Sequence, residues 1–207
     1  MKQEKVRIAV LASGRGSNFK AIIDAVKAGR CAADIRVLIT NKPDAKAIDR
    51  AKENSIPSEV VERRDFATRE EMDKKIKGLL DKHGTELVVL AGYMLLLKDK
   101  ALLDAYRNRI INIHPALLPS FPGVDAQKQA FDYGAKISGI TIHFVDEKLD
   151  AGPVIYQEAV DISDCRDEHE VAERILKAEH GAYPKIIDSF AKGKYVVEGR
   201  RVRYVKG

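Results

Sequence analysis

The chain is 207 residues long, 45% hydrophobic and 32% charged, with a formal charge of +5. That length suits one domain with a proper core, and no apolar run approaches the roughly 20 residues needed to cross a bilayer, which excludes a membrane-spanning helix. Much of the positive excess sits in the last stretch, GKYVVEGRRVRYVKG, with no dense basic stripe elsewhere, so no nucleic-acid partner is expected.

The opening MKQEKVRIAV has charges but no long apolar stretch or small-residue cleavage site, so it does not read as a secretory signal, and a cytoplasmic location is expected. A strand is expected over 5–13, then a glycine turn and a helix in which Phe19, Ile22, Ile23 and Val26 recur at helical spacing, closed by Gly29. DIRVLIT gives a second strand, AKAIDRAKENSI a second helix and PSEVVER a short third strand. Cys31 and Cys165 lack metal-ligand spacing and are too few for a disulfide framework; they read as packing or surface thiols. TREEMDKKIKGLLDKHG is a third amphipathic helix, and TELVVLAGYM a strand too continuously apolar to be half exposed. A short helix near 99–107 precedes a strand ending in IINIH. KISGITIHFV and GPVIYQEAVDI read as a strand pair joined by DEKLDAG, followed by a long helix over 167–192 and a hairpin of KYVVE and RVRYV turning near Gly199.

This alternation predicts an α/β fold: a mostly parallel sheet covered by helices on both faces, with an antiparallel extension and a small C-terminal hairpin. Ligands in such folds bind beyond the carboxyl ends of the strands. ASGRGSN, between the first strand and first helix, lacks the GK[ST] of a P-loop and, with Phe19 at the third glycine position, the full dinucleotide fingerprint. It either holds a single phosphate on bare amides and hydroxyls or is simply a tight capped turn. Asn112 and His114, at i and i+2 of a strand, point to one face, where an amide donor and an imidazole suit carbonyl polarisation and proton movement. A structural histidine before proline is the other reading. Asp150, ahead of an Ala-Gly-Pro turn, either forms that turn or orients the imidazole of His114 and favours its charged form. His143 faces the core or the same cleft.

In this order and spacing, SGRGSN, NIHPALLPSFPG and ITIHFVDEKLDAGPVIYQ resemble the glycinamide ribonucleotide (GAR) formyltransferases, folate-dependent enzymes of purine synthesis, over Val6 to about Phe190. The resemblance implies a Rossmann-like formyltransferase fold in one domain over 1–207, with a phosphate-binding half to about 105 and a catalytic and folate-binding half after it. It implies transfer of the formyl group of 10-formyltetrahydrofolate to the amine of GAR, without a metal and without a covalent enzyme intermediate. Asn112, His114 and Asp150 take the catalytic positions. Gly16, Ser17 and Asn18 take the phosphate loop and Glu179 the ribose contact. Arg69, Met94, Leu95, Leu96, Leu97, Asn112 and the stretch Asp146, Glu147, Lys148, Leu149 and Asp150 take the folate pocket. The two small molecules are the expected partners, with a homodimer as the one larger assembly allowed for.

The chain departs from the family's commonest pattern at VDAQKQAF, where some members carry histidines, and at Leu95, where others have a basic residue beside the folate. Among rivals, methionyl-tRNA formyltransferase adds a carboxy-terminal tRNA domain for which only the short hairpin stands here. Formyltetrahydrofolate deformylase places a regulatory domain before the core and usually a second histidine where this chain has Pro115. A binding-only module has no evident use for Asn112, His114 and Asp150 together. A nicotinamide oxidoreductase is disfavoured by Phe19 and by Asn41, where an acidic residue should end the second strand.

Overall fold

The computed structural model describes residues 4–207. Its strands are β1 (Val6–Leu11), β2 (Ala33–Thr40), β3 (Ser58–Val60), β4 (Leu87–Leu90), β5 (Ile110–His114), β6 (Ile137–Phe144), β7 (Val154–Asp161), β8 (Gly193–Glu198) and β9 (Arg201–Lys206). Its helices are α1 (Ser17–Lys27), α2 (Ala47–Glu53), α3 (Arg69–Lys82), α4 (Lys100–Ala105), α5 (Ala126–Tyr133) and α6 (Glu168–Phe190). The first seven strands form one sheet in the order β3-β2-β1-β4-β5-β6-β7, and β8 and β9 form a separate antiparallel hairpin. Contacts from β3 through β5 are parallel, whereas β6 pairs antiparallel with both β5 and β7 and is the one reversed strand of this sheet. The chain moves outward from β1 to β3 and returns to β4, so the crevice between β1 and β4 is the topological switch point where such sheets bind ligands.

The central strands β1, β4, β5 and β6 bury both faces, as a sheet covered on two sides requires, while the edge strands β3 and β7 are partly exposed. Ile8 and Val10 of β1 pack in the core that holds Phe19, Ile22 and Ile23 of α1 and Val171, Ile175 and Ile187 of α6. The alternate residues Ala9 and Leu11 pack in the other core, with Met72, Ile76 and Leu80 of α3 and Leu102 of α4. Helix α3 starts where it does because Thr68 and Glu71 form a capping box, each side chain taking the other's backbone N–H. Helix α6 is tied to the sheet by Tyr183, fully buried, whose hydroxyl donates to the carbonyls of Leu90 (2.8 Å) and Ile111 (3.1 Å) at the ends of β4 and β5.

The element order expected from sequence holds, with shorter elements. The strand expected over 85–94 ends at Leu90, because the chain turns away through Gly92 with φ +78. The strand expected over 5–13 ends at Leu11, and the helix expected near 99–107 spans Lys100–Ala105. Two elements were not foreseen: a 3₁₀ turn at Arg63–Asp65 and helix α5. Helix α5 has a favoured residue, Asp125, at its N-cap but not the usual cap, since Asp125 is left-handed (φ 55) and its side chain makes no capping bond.

Removing the Tyr183 hydroxyl removes the one proton shared between two backbone carbonyls. Tyr183→Phe is expected to lower stability by about 1–2 kcal/mol. The readout is a lower urea midpoint at unchanged slope; an unchanged midpoint would show that the hydroxyl does not hold α6 to the sheet.

Candidate active site

A cavity of about 630 Å³ opens at the carboxyl ends of β1, β4 and β5. Its floor is Asn112 and His114, at i and i+2 of β5 as the sequence spacing required. The antiparallel register sets Asn112 opposite His143 and His114 opposite Thr141, so a second polar pair at the same spacing on β6 faces the first. Thr141 donates to the Ala116 carbonyl (2.7 Å) and accepts from Leu118 N–H (3.0 Å), which fixes the proline-rich loop after His114.

Asp150 reaches this pair from the loop between β6 and β7. That loop turns back tightly: a Cβ on Gly152 would stand 1.7 Å from the Phe144 carbonyl oxygen, so only glycine fits. Asp150 itself is left-handed (φ 49), a conformation that aspartate and asparagine tolerate better than most residues. Its Oδ2 accepts from Gly123 N–H (2.8 Å) and lies 3.5 Å from His114 Nδ1, while Oδ1 lies 3.7 Å from His143 Nε2. One carboxylate thus stands between two buried imidazoles.

The hydrogen bonds assign the ring nitrogens. His143 Nδ1 is 2.8 Å from the Phe144 carbonyl, which can only accept, so Nδ1 carries the proton. Burial holds His143 below its ordinary pKa, despite the Phe144 carbonyl and Asp150. The neutral ring therefore presents a lone pair at Nε2, which accepts from Asn112 Nδ2 (3.3 Å). This fixes which end of the Asn112 amide is NH₂ and leaves its second N–H unspent. His114 Nε2 donates to the Phe121 carbonyl (2.8 Å), so the pairing with Asp150 through Nδ1 forms when the ring carries both protons.

At the other end of the cavity, Gly16 adopts φ +64 with Ala47 packed where a side chain would go. Helix α1 follows with no side-chain cap, so the amides of its first turn, at Ser17 and Asn18, border the cavity uncapped. Asn18 Nδ2 donates to Glu179 Oε2 (2.8 Å), whereas Asn18 Oδ1 is buried without a partner among the described residues. Burial pushes the Glu179 carboxyl up to about 7, against the lowering effect of the Asn18 amide. Arg15, Lys42 and Lys148 are the cations lining the cavity. Met94, Val124 and Leu149 line it as exposed apolar side chains.

Of the residues singled out from sequence, Gly16, Ser17, Asn18, Met94, Leu95, Leu96, Leu97, Asn112, His114, Lys148, Leu149, Asp150 and Glu179 all line this one cavity. Arg69, Asp146 and Glu147 do not. Arg69 lies under the 93–97 segment, donating from Nε to the Leu96 carbonyl (2.9 Å), and Asp146 accepts from Lys148 N–H (2.9 Å) to shape its loop. Ser13 lines the cavity from the ASGRGSN stretch, Lys42, Tyr93 and Gln127 line it without having been foreseen, and His143 is the cleft residue that the sequence left ambiguous. Its signal was present as Thr141 and His143, two polar residues at i and i+2 of an apolar strand, but the register that opposes them to β5 is not in the local sequence.

A family model described as formyl transferase matches residues 6–187. The chain belongs to the formyl transferase family. It is 45% identical over 181 residues to the phosphoribosylglycinamide formyltransferase of Bacillus subtilis (strain 168), covering 87% of this chain and 92% of that one. It is 42% identical over 199 residues to the trifunctional purine biosynthetic protein adenosine-3 of Drosophila melanogaster, where it spans 15% of the relative's length and 95% of its own. The crystal structure of glycinamide ribonucleotide transformylase 1 from Symbiobacterium toebii superposes with a TM-score of 0.94 at 40% identity, covering 98% of this chain and 95% of that one. The resemblance carried by the three sequence motifs is borne out, and so is the formyltransferase fold. Among the described residues, no group of three or more His, Cys, Asp or Glu is placed to hold a metal ion.

The raised pKa of Glu179 carries a stability consequence with a definite sign. Its folded pKa lies above that of an ordinary glutamate, so its contribution is present below about pH 4.5 and is lost as pH rises towards about 7. Glu179→Gln removes that loss and is expected to gain on the native protein between pH 5 and 8, by up to about 3 kcal/mol. Denaturant titrations at both pH values check it; parallel curves would contradict it.

Proposed function

We propose that the protein transfers the formyl group of 10-formyltetrahydrofolate to the primary amine of N1-(5-phospho-D-ribosyl)glycinamide, giving formyl-GAR and tetrahydrofolate in purine (IMP) biosynthesis. The observation that carries this reading is the convergence of Asn112, His114 and Asp150 at the centre of one cavity, with uncapped helix amides at one end and apolar side chains at the other. Its working place, on this reading, is the cytoplasm.

The acceptor's phosphate sits against the amides of Ser17 and Asn18 after Gly16, where a helix start attracts an anion, with Lys42 and Arg15 as nearby positive charge. Glu179 and the unpaired Asn18 Oδ1 take the ribose hydroxyls. The donor's flat ring system lies against Met94, Leu95, Leu96 and Leu97 and the loop ending at Asp150. The amine then points at the formyl carbon above Asn112.

In the reaction the amine lone pair forms a bond to the formyl carbon, and the carbonyl π pair moves onto oxygen. The free N–H of Asn112 donates to that oxyanion, and His114 joins it when its Nε2–H turns from the Phe121 carbonyl, with Asp150 at the other ring nitrogen. The attacking nitrogen gives up a proton and N10 of the donor gains one as the carbon–N10 bond breaks. His114, with Asp150 behind it, is the group placed to move that proton. No serine or cysteine stands next to the histidine in sequence, so transfer is direct.

The test is GAR-dependent formyl transfer by variants. Asn112→Ala removes one oxyanion donor and is expected to cut turnover about 10²–10³-fold. His114→Ala and Asp150→Asn are each expected to lower turnover by at least about two orders of magnitude while thermal unfolding stays near that of the native protein. Asparagine keeps the left-handed backbone at position 150, so the second variant isolates the charge. Substantial activity in either folded variant would refute the assignment.

A further inference from the structure

Residues 92–99, between β4 and α4, form no helix or strand, yet they supply Met94–Leu97 to the cavity wall. Side chains from elsewhere in the fold hold this segment. Ser13 Oγ accepts from Met94 N–H (2.9 Å), and Arg69 Nε donates to the Leu96 carbonyl (2.9 Å). Asp73 Oδ2 accepts from the backbone N–H groups of both Lys98 (2.5 Å) and Asp99 (3.1 Å).

Asp73 is fully buried and does not line the cavity. It sits one turn along α3 from Arg69, whose Nη2 lies 3.5 Å from Asp73 Oδ1, and the guanidinium lies 5.9 Å from the centre of the Tyr93 ring. Arg69 Nη2, Asp73 Oδ1 and the Tyr93 hydroxyl are buried with no hydrogen-bond partner among the described residues. A buried carboxylate left partly unsatisfied is a poor stabiliser, and an apolar side chain of similar volume would usually serve the core better. What the carboxylate supplies and an apolar group cannot is a fixed position for two backbone amides of an irregular segment. The capping box at Thr68 and Glu71 sets the start of α3, and with it the position of the carboxylate.

We infer that Asp73 is a positioning residue for the formyl donor: with Arg69 it sets the placement of the 92–99 segment, and so the affinity for the donor, without touching either substrate. This rests on the reading that Met94–Leu97 faces 10-formyltetrahydrofolate. Asp73 accepts its hydrogen bonds from Lys98 and Asp99 and none from the acceptor end at Gly16–Asn18 and Glu179, so the larger effect falls on the donor.

Steady-state kinetics of the native protein, Asp73→Ala and Asp73→Asn test this, each varied in both substrates. For Asp73→Ala the expected result is a donor KM raised about tenfold or more, with GAR KM and kcat at saturating donor changed no more than about threefold. Asp73→Asn keeps an acceptor for the two amides but loses the charge opposite Arg69, and its donor KM should fall between. A folded Asp73→Ala with native donor KM, or one that loses kcat at unchanged donor KM, would overturn the proposal. If that variant does not fold, a donor KM for Asp73→Asn within about twofold of native would overturn it instead. Absence of GAR-dependent transfer in the native protein would overturn the functional reading and this proposal together, an outcome distinct from all the others.

Discussion

The antiparallel pairing of β5 with β6 is the constraint on which the site depends. Parallel strands β1, β4 and β5 bring their carboxyl ends to one edge, and that alone would give an ordinary ligand crevice. Reversing β6 places Asn112 beside His143. The connection from β6 to β7 leaves at the level of Ile110 and Ile111 and folds back over the strands, carrying Asp150 to both histidines. The close approach of Gly152 to the Phe144 carbonyl and the left-handed Asp150 are the local cost of so tight a return.

Burial then acts in opposite directions on two groups of one cavity. It lowers the pKa of His143, keeping that ring a neutral acceptor that orients Asn112. It raises that of Glu179 to about 7, leaving a carboxyl whose charge depends on pH near neutrality and on what binds against it. Asn18 joins the two ends of this logic, since its amide steadies Glu179 while its backbone belongs to the uncapped start of α1. Ser13 makes a similar link. Its hydroxyl donates to Asn41 (2.6 Å) and accepts from Met94 N–H (2.9 Å), so the glycine loop and the 92–99 segment share a buried anchor.

Much of this was legible in the sequence. The alternation of apolar strands and amphipathic helices specified the sheet, because period and turn residues are local signals. The Asn-x-His spacing specified convergence, because side chains two apart on a strand share a face. Helix α5 escaped because it is short and follows a proline- and glycine-rich loop, so that Asp125 at its N-cap, a residue type that marks helix starts, reads as part of a turn. The role of His143 stayed open because it depends on strand register, a non-local property. Arg69 was placed in the pocket by resemblance, yet its guanidinium is turned towards the Leu96 carbonyl and Asp73, partners 27 and 4 residues away in sequence. Only the second of those is visible as a helical spacing.

The central claim is that the cavity moves a formyl group between two bound molecules. Its most direct test mixes purified protein with 10-formyltetrahydrofolate, with and without GAR, following tetrahydrofolate release and the mass of formyl-GAR. The account predicts release that requires GAR, with one formyl-GAR formed for each tetrahydrofolate. Equal release without GAR would contradict it, because water would then be the acceptor and the protein a deformylase.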